Sequence, residues 1–222
     1  MSIRVISLKN LMQLMLADPK LQRRLIKYHI RQARPRSDTA SGDGGDFHVA
    51  FWSDAKKHAA GKANLLEATA ERIKKHKGRK RLYPLLTKGF LEWWEENRRR
   101  INEPFDVKDG SFKGRLELAD LGIVKVENNL AFSIGEDGFR VVYPYVCEEP
   151  EVNTKVGRLA LWAMSHAMPD QAIENLRILD VIRGRTFSTE ECPMIGTEEQ
   201  EFRAFYAAQI EKWIEFGGDD VG

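Results

Sequence analysis

Apolar positions recur at helical spacing from the start of the chain. Leu8, Leu11, Met12 and Met15 follow Ser7 in this way, predicting a short helix. Asp18 and Pro19 then open a second one over residues 19–34, because Asp caps well and Pro suits the first helical position. Leu21, Leu25, Tyr28 and Gln32 form its inward stripe, and Arg23, Arg24, Lys27, Arg31 and Arg34 fall mostly elsewhere. Residues 35–46 offer Ala40 alone as an apolar side chain among Gly, Ser and Asp. With so little to bury against its ordering entropy, the segment reads as a mobile linker, and residues 1–34 as a helical arm that docks, swaps or moves.

The run FHVAFW, residues 47–52, fits a strand or a helix start equally, being too short for periodicity to decide. Ser53 and Asp54 read as the cap of one long helix that tolerates Gly61 and ends near Gly78. Pro84 falls in the first turn of the next, where Leu86, Phe90, Trp93 and Asn97 form a face widened by Leu91 and Trp94. Adjacent tryptophans point about 100° apart on a helix, so one is expected inward and the other over a neighbouring element. Glu95 and Glu96 stand at ion-pair spacing from Arg98, Arg99 and Arg100. Pro and Gly punctuation over residues 102–114 closes this helical half.

From Arg115 the period changes. RLELADL, GIVKVE, NLAFSIG and FRVVYPYV are short apolar or alternating runs separated by ENN and GEDG, the pattern of an antiparallel meander. Pro144 implies that the last of these strands is an edge or carries a bulge. A helix follows from residue 153 and stops at Pro169, and NLRILDVIRGRTFS reads as one more strand. Thr197 with Gln200 resembles a capping box for a final helix that buries Phe202, Phe205, Tyr206, Ile210 and Trp213. The fold class is therefore α+β: a helical, basic N-terminal half, then a mainly antiparallel sheet with two packed helices. Its expected regions are the arm 1–34, the linker 35–46, a basic helical region 47–108 and a sheet-and-helix region 109–222, with 47–222 able to form one domain.

Composition narrows the function classes. At 222 residues, 42% hydrophobic and 31% charged, the chain can bury a sizeable core beneath a well-charged surface. Its apolar runs fall far short of the roughly 20 residues a membrane span needs. Two cysteines, Cys147 and Cys192, allow one disulfide at most, and with no export signal they point to reduced thiols in the cytoplasm. The net charge of +2 conceals an asymmetry: residues 1–108 carry +12 and residues 109–222 carry −10. Such a split points to nucleic-acid or membrane-surface contact by the basic half, or to two halves attracted to one another or to a partner's opposite pole.

Arg72, Lys74, Lys75, Lys77, Arg79, Lys80 and Arg81 form the densest basic cluster, with Arg98, Arg99, Arg100 and the helix carrying Arg23, Arg24, Lys27 and Arg31 behind it. Cations up to Lys77 complement a helix C-terminus. Arg79, Lys80 and Arg81 lie beyond Gly78 and exceed that need, which favours phosphate contact. Tyr83 or one of the paired tryptophans could stack on a base if exposed. No helix-turn-helix, zinc-finger or RNA-binding aromatic signature accompanies the cluster.

Other chemistries have thinner support. His29, His48, His58, His76 and His166 show no metal-binding spacing, and no metal, cofactor or catalytic residue is assigned. Glu117, Asp120, Glu127 and Asp180 lie in or near strands, with Lys125 on the same strand face as Glu127, and would serve a metal-dependent nuclease only if they converged. Cys147 and His166 make the one nucleophile–base pair worth naming, and Ser133 and Ser165 sit in no nucleophile elbow. Arg183, Gly184 and Arg185 could meet an anion at a strand end, and the second helix could lie on a membrane surface. The leading expectation is a non-enzymatic cytoplasmic nucleic-acid-binding or nucleic-acid-associated accessory protein using this basic helical surface, with a protein-interaction subunit of a complex or homo-oligomer as its rival and a metal-dependent nuclease third. Exposure separates the first two: a contiguous positive face beside an exposed aromatic favours nucleic acid, and a flat apolar patch holding a tryptophan favours a protein partner.

Overall fold

The chain folds as β1 (Val5–Ser7), α1 (Leu8–Leu16), α2 (Pro19–Ala33), α3 (Phe47–Ala59), α4 (Leu65–Lys75), α5 (Leu82–Arg100), β2 (Phe105–Val107), β3 (Gly114–Leu118), β4 (Gly122–Val126), β5 (Leu130–Ile134), β6 (Gly138–Tyr145), α6 (Thr154–Ala167), β7 (Leu176–Asp180), β8 (Arg185–Phe187) and α7 (Glu198–Glu215). This computed structural model describes residues 3–33, 47–100, 103–110, 112–135 and 138–218, and only the backbone of Phe47, Arg98 and Arg100. The expected linker 35–46 lies outside the described residues. The architecture is α+β, with two mixed sheets ordered β1-β4-β3 and β2-β5-β6-β7-β8.

Side chains alternate across the five-stranded sheet, and both of its faces are buried. Leu130, Phe132, Val142 and Leu179 point into one core with Phe51, Trp52, Tyr83, Phe90, Trp93 and Trp94 of α3 and α5. Ala131, Val141, Tyr143 and Ile178 point the other way, into a core built from α1, α6, α7 and the small sheet. β6 and β7 run parallel, with Val142 opposite Arg177, and α6 makes the crossover that a parallel pair requires. The five-stranded sheet is thus a middle layer with helices on each side.

The antiparallel meander does not form. The β3–β4 hairpin joins β1, which pairs parallel to β4, whereas β5 and β6 belong to the larger sheet. With β1 on one side and β3 on the other, β4 has no edge left for β5. The chain turns away at Asn128, in the left-handed region at φ 67°, and the Trp52 indole donates to its carbonyl. Pro144 occupies a strand that is central in the sheet order, contrary to the edge or bulge expectation. The β5 ladder ends at Val142, so the missing proline N–H forfeits no bond on that side. The single strand expected over residues 175–188 is two, β7 and β8, reversing through Gly184 at φ 58°. β2 pairs with β5 in a stretch that read as punctuation alone.

Helix boundaries also moved. Residues 47–52 begin α3, because Phe51, Trp52 and Ala55 are buried at helical spacing and carry the helix through Ser53 and Asp54. The long helix expected to Gly78 is broken at Gly61, which has φ 68°, and Asn64 starts α4 by accepting from the Leu66 amide at 2.9 Å. On α2 the buried set is Gln22, Ile26, His29 and Ile30, one position on from the expected stripe, and Tyr28 is 49% exposed. Thr197 makes no capping hydrogen bond; the Glu198 carboxylate instead accepts from the amides of Ile195 at 2.7 Å and Gly196 at 2.9 Å. Both Trp93 and Trp94 are core residues. Ile3, Ile6, Leu11, Met12 and Leu14 are buried as well, and the Tyr206 hydroxyl donates to the Ile3 carbonyl at 2.7 Å, so the N-terminal elements are docked on the body. Among the described residues no helix is long and apolar enough to cross a membrane.

α5 crosses the β7–β8 turn at its closest point through Gly89. A Cβ there would stand 2.1 Å from the Val181 carbonyl oxygen and 2.4 Å from that of Ile182. In an open helix Gly→Ala gains up to about 1 kcal/mol. Here Gly89→Ala is expected to lose about 1–3 kcal/mol through overpacking, read as a lowered urea midpoint. An unchanged or raised midpoint would contradict the close approach.

Candidate nucleic-acid interface

α2 has no acidic residue in its fifteen positions. Lys20, Arg24, Lys27 and Arg31 follow one another at steps of four, three and four residues, which stacks them on one helix face over roughly 16 Å at 1.5 Å per residue. All four are exposed, and none forms an ion pair with a described residue. Exposed Tyr28 follows Lys27. Two shallow depressions of about 400 and 560 Å³ share Arg24 and Lys27 and run along the helix. Arg23 and Lys27 stand 5.5 and 5.6 Å from the Phe216 ring centre, so the start of the C-terminal tail supports the stripe from beside it.

The opposite face of α2 fixes this orientation. Ile26 and Ile30 enter the core, and Gln22 donates to the Leu14 carbonyl at 3.0 Å while accepting from Lys212 of α7. His29 is buried beside them, with Nε2 meeting no described polar atom. Burial, and then the charge of Lys9, lower its pKa to about 4.

The cluster at residues 72–81 is less open than its composition implies. Arg72 forms a two-pronged ion pair with Asp54 of α3, one contact being 3.0 Å. Arg79 stands 5.3 Å from the Tyr83 ring centre, and Arg81 pairs with Glu148. Two of the three cations beyond Gly78 thus have partners within the fold. Lys74, Lys75, Lys77 and Lys80 are exposed, as is Arg99; the side chains of Arg98 and Arg100 are outside the described set. Tyr83, Trp93 and Trp94 are buried and offer no face to a base, which removes the stacking expectation there. α2 belongs to the core on one side of the central sheet and α4–α5 to the core on the other. The structure therefore does not bring the two basic groups together into one surface.

No family model and no curated protein sequence matches this chain.

The sheet carboxylates diverge. Glu117 is exposed on β3, and Asp120 pairs with Arg203 at 2.7 Å. Asp180 is buried in β7, accepting from the Val152 amide at 3.2 Å and Arg183 at 3.3 Å; burial nevertheless raises its pKa. Lys125 and Glu127 do share a site, a cavity of about 110 Å³ also lined by Ser7, Lys9, Trp52 and Tyr143, which the sequence did not reveal. Among the described residues no three of His, Cys, Asp and Glu gather as metal ligands. Cys147 and Cys192 are buried free thiols; Cys147 meets Tyr145, whereas the His166 ring lies 4.5 Å from that of Trp162. Arg183 is held by Asp180, Glu149, Glu151 and the Cys147 carbonyl, and Arg185 covers the Phe187 ring. Lys20 and Phe216 were not among the residues singled out from the sequence, although the spacing of Lys20 to Arg24 was visible there.

The seat of α2 carries a pH dependence. A histidine whose folded pKa lies below its unfolded value of about 6.5 binds its proton more readily when unfolded, so its contribution is complete above pH 6.5 and is lost as pH falls toward 4. The loss is on the order of 3 kcal/mol at most. Urea midpoints measured from pH 7 to 4 are expected to fall for the parent and to fall less for His29→Phe. Parallel curves for the two proteins would show that His29 is not the group responsible.

Proposed function

We propose that the protein binds nucleic acid without base specificity, laying the cationic stripe of α2 along a phosphate backbone. The observation that carries this reading is the alignment of Lys20, Arg24, Lys27 and Arg31 on one exposed face of a helix that contains no acidic residue, with Asp18 at its N-terminal end the one carboxylate lining the depression beside them. Each contact with a phosphate releases counterions, so the affinity comes largely from salt-sensitive electrostatics. Tyr28 adds an exposed aromatic surface at the same face, and all five tryptophans are buried, which disfavours a tryptophan-centred protein interface. Lys74, Lys75, Lys77 and Lys80 supply a separate, weaker positive patch on the far side of the sheet.

The test is a salt titration of binding to labelled duplex DNA, single-stranded DNA and RNA. Parent protein is compared with a variant changing Lys20, Arg24, Lys27 and Arg31 to Ser, and with a second changing Lys74, Lys75, Lys77 and Lys80 to Ser. The stripe variant is expected to weaken binding strongly and to flatten the duplex slope by about 0.9 per lost contact; the second should shift it much less. A larger effect from the second variant would relocate the interface. Absence of binding by the parent would overturn the reading and turn attention to acidic protein surfaces.

A further inference from the structure

Two arginines outside both basic groups are arranged in a way that the fold alone does not explain. Arg140 of β6 is two residues before Val142, which faces Arg177 of β7, so both side chains leave the central sheet on the face turned toward α3–α5. Both are half-buried, and both reach the short turn before β7. Arg140 Nη1 donates to the Phe139 carbonyl at 2.7 Å and to Asn175 Oδ1 at 3.3 Å; Arg177 Nη1 donates to the carbonyls of Glu174 and Leu176, each at 2.7 Å. These bonds hold one arm of each guanidinium. Nε and Nη2 of neither make a hydrogen bond to a described residue, and neither arginine forms an ion pair with one.

Two like charges drawn partly out of water beside one another destabilise a fold unless something offsets them. Among the described residues the nearby carboxylates do so incompletely. Glu191 is engaged by the Ser188 amide at 2.9 Å and by the Ser188 hydroxyl, and it and Glu190 act on Arg177 only at longer range. Burial, followed by repulsion from Arg140, still lowers the Arg177 pKa against their pull. The Nε–Nη2 edge left over on each guanidinium is the fork that receives an oxyanion in bidentate fashion.

We propose that Arg140 and Arg177 together bind an oxyanion, a phosphate group, on the helix-facing side of the β6–β7 pair. The site is independent of the α2 stripe and does not rest on it. The phosphate would come either free or as part of a nucleic-acid chain, and one experiment distinguishes the two.

Melting temperatures are measured at constant ionic strength while chloride is exchanged for inorganic phosphate, and separately with a 5′-phosphorylated oligonucleotide. The proteins are the parent, Arg140→Gln, Arg177→Gln, the α2 stripe variant, and each Gln change combined with the stripe variant; the oligonucleotide is scored in the stripe background, where binding by α2 does not enter. Glutamine retains a donor and removes the charge. A saturable rise of about 3–6 °C at ten times the dissociation constant is expected for the parent and the stripe variant, and its loss in both Gln variants. With the repulsion removed, at least one Gln variant should melt no lower than the parent in chloride. A rise with inorganic phosphate identifies a free-phosphate site, and one with the oligonucleotide alone identifies a chain-borne phosphate. No rise with either, or a rise that survives both Gln variants, would overturn the assignment.

Discussion

The parallel pairing of β6 with β7, covered on both faces, is the constraint from which the remaining structure follows. A parallel pair demands a crossover, and α6 supplies it; a sheet buried on both faces demands a second helical layer, and α3–α5 supply that. The N-terminal elements then complete the side that α6 leaves open, with β1 joining β4 and α1 entering the core. Each half of the chain therefore contributes to both cores. The opposite net charges of the halves meet in a few ion pairs, such as Arg81 with Glu148, but apolar packing does most of the joining.

Charge is divided between internal and external duties by this same layering. Cations that face across elements find partners: Arg72 with Asp54, Arg158 with Glu198 and Glu201, Arg183 with the acidic segment after β6. Lys20, Arg24, Lys27 and Arg31 on the outer face of α2 form no ion pair with a described residue, because the helix itself has no acid, and Lys27 lies over the Phe216 ring. A stripe of this kind is maintained against self-repulsion by high solvent exposure, which keeps the mutual cost small until an anion is present. The α2 face is therefore more open than the denser cluster at residues 72–81, where Asp54 engages Arg72, the Tyr83 ring meets Arg79 and Glu148 pairs with Arg81 at the surface.

Legibility in the sequence depended on whether a signal was local. The caps at Ser7 and Asp18, the stop before Pro169 and the buried face of α7 were readable, since each is set by residues within one or two turns. The rotation of α2 was not: Leu21 and Leu25 are as apolar as Ile26 and Ile30, and contact with α1 and α7 determines which set turns inward. Trp93 and Trp94 illustrate the same limit, both being buried because β2 and β5 cover the second one. Of the candidate interface, the richness in cations was visible, but which of them form no ion pair with a described residue was not.

By itself, then, the sequence determined the class of fold, the helical first half, the strand-rich second half and the charge asymmetry, because composition and short-range periodicity carry that information. Tertiary structure alone decided that the expected meander splits into two sheets, that the two basic groups lie on opposite sides of the larger one, and that Arg140 and Arg177 leave the same face of it toward one turn. Those outcomes depend on which strand edges are already occupied and which residues distant in the chain come to face one another, and no local pattern encodes either.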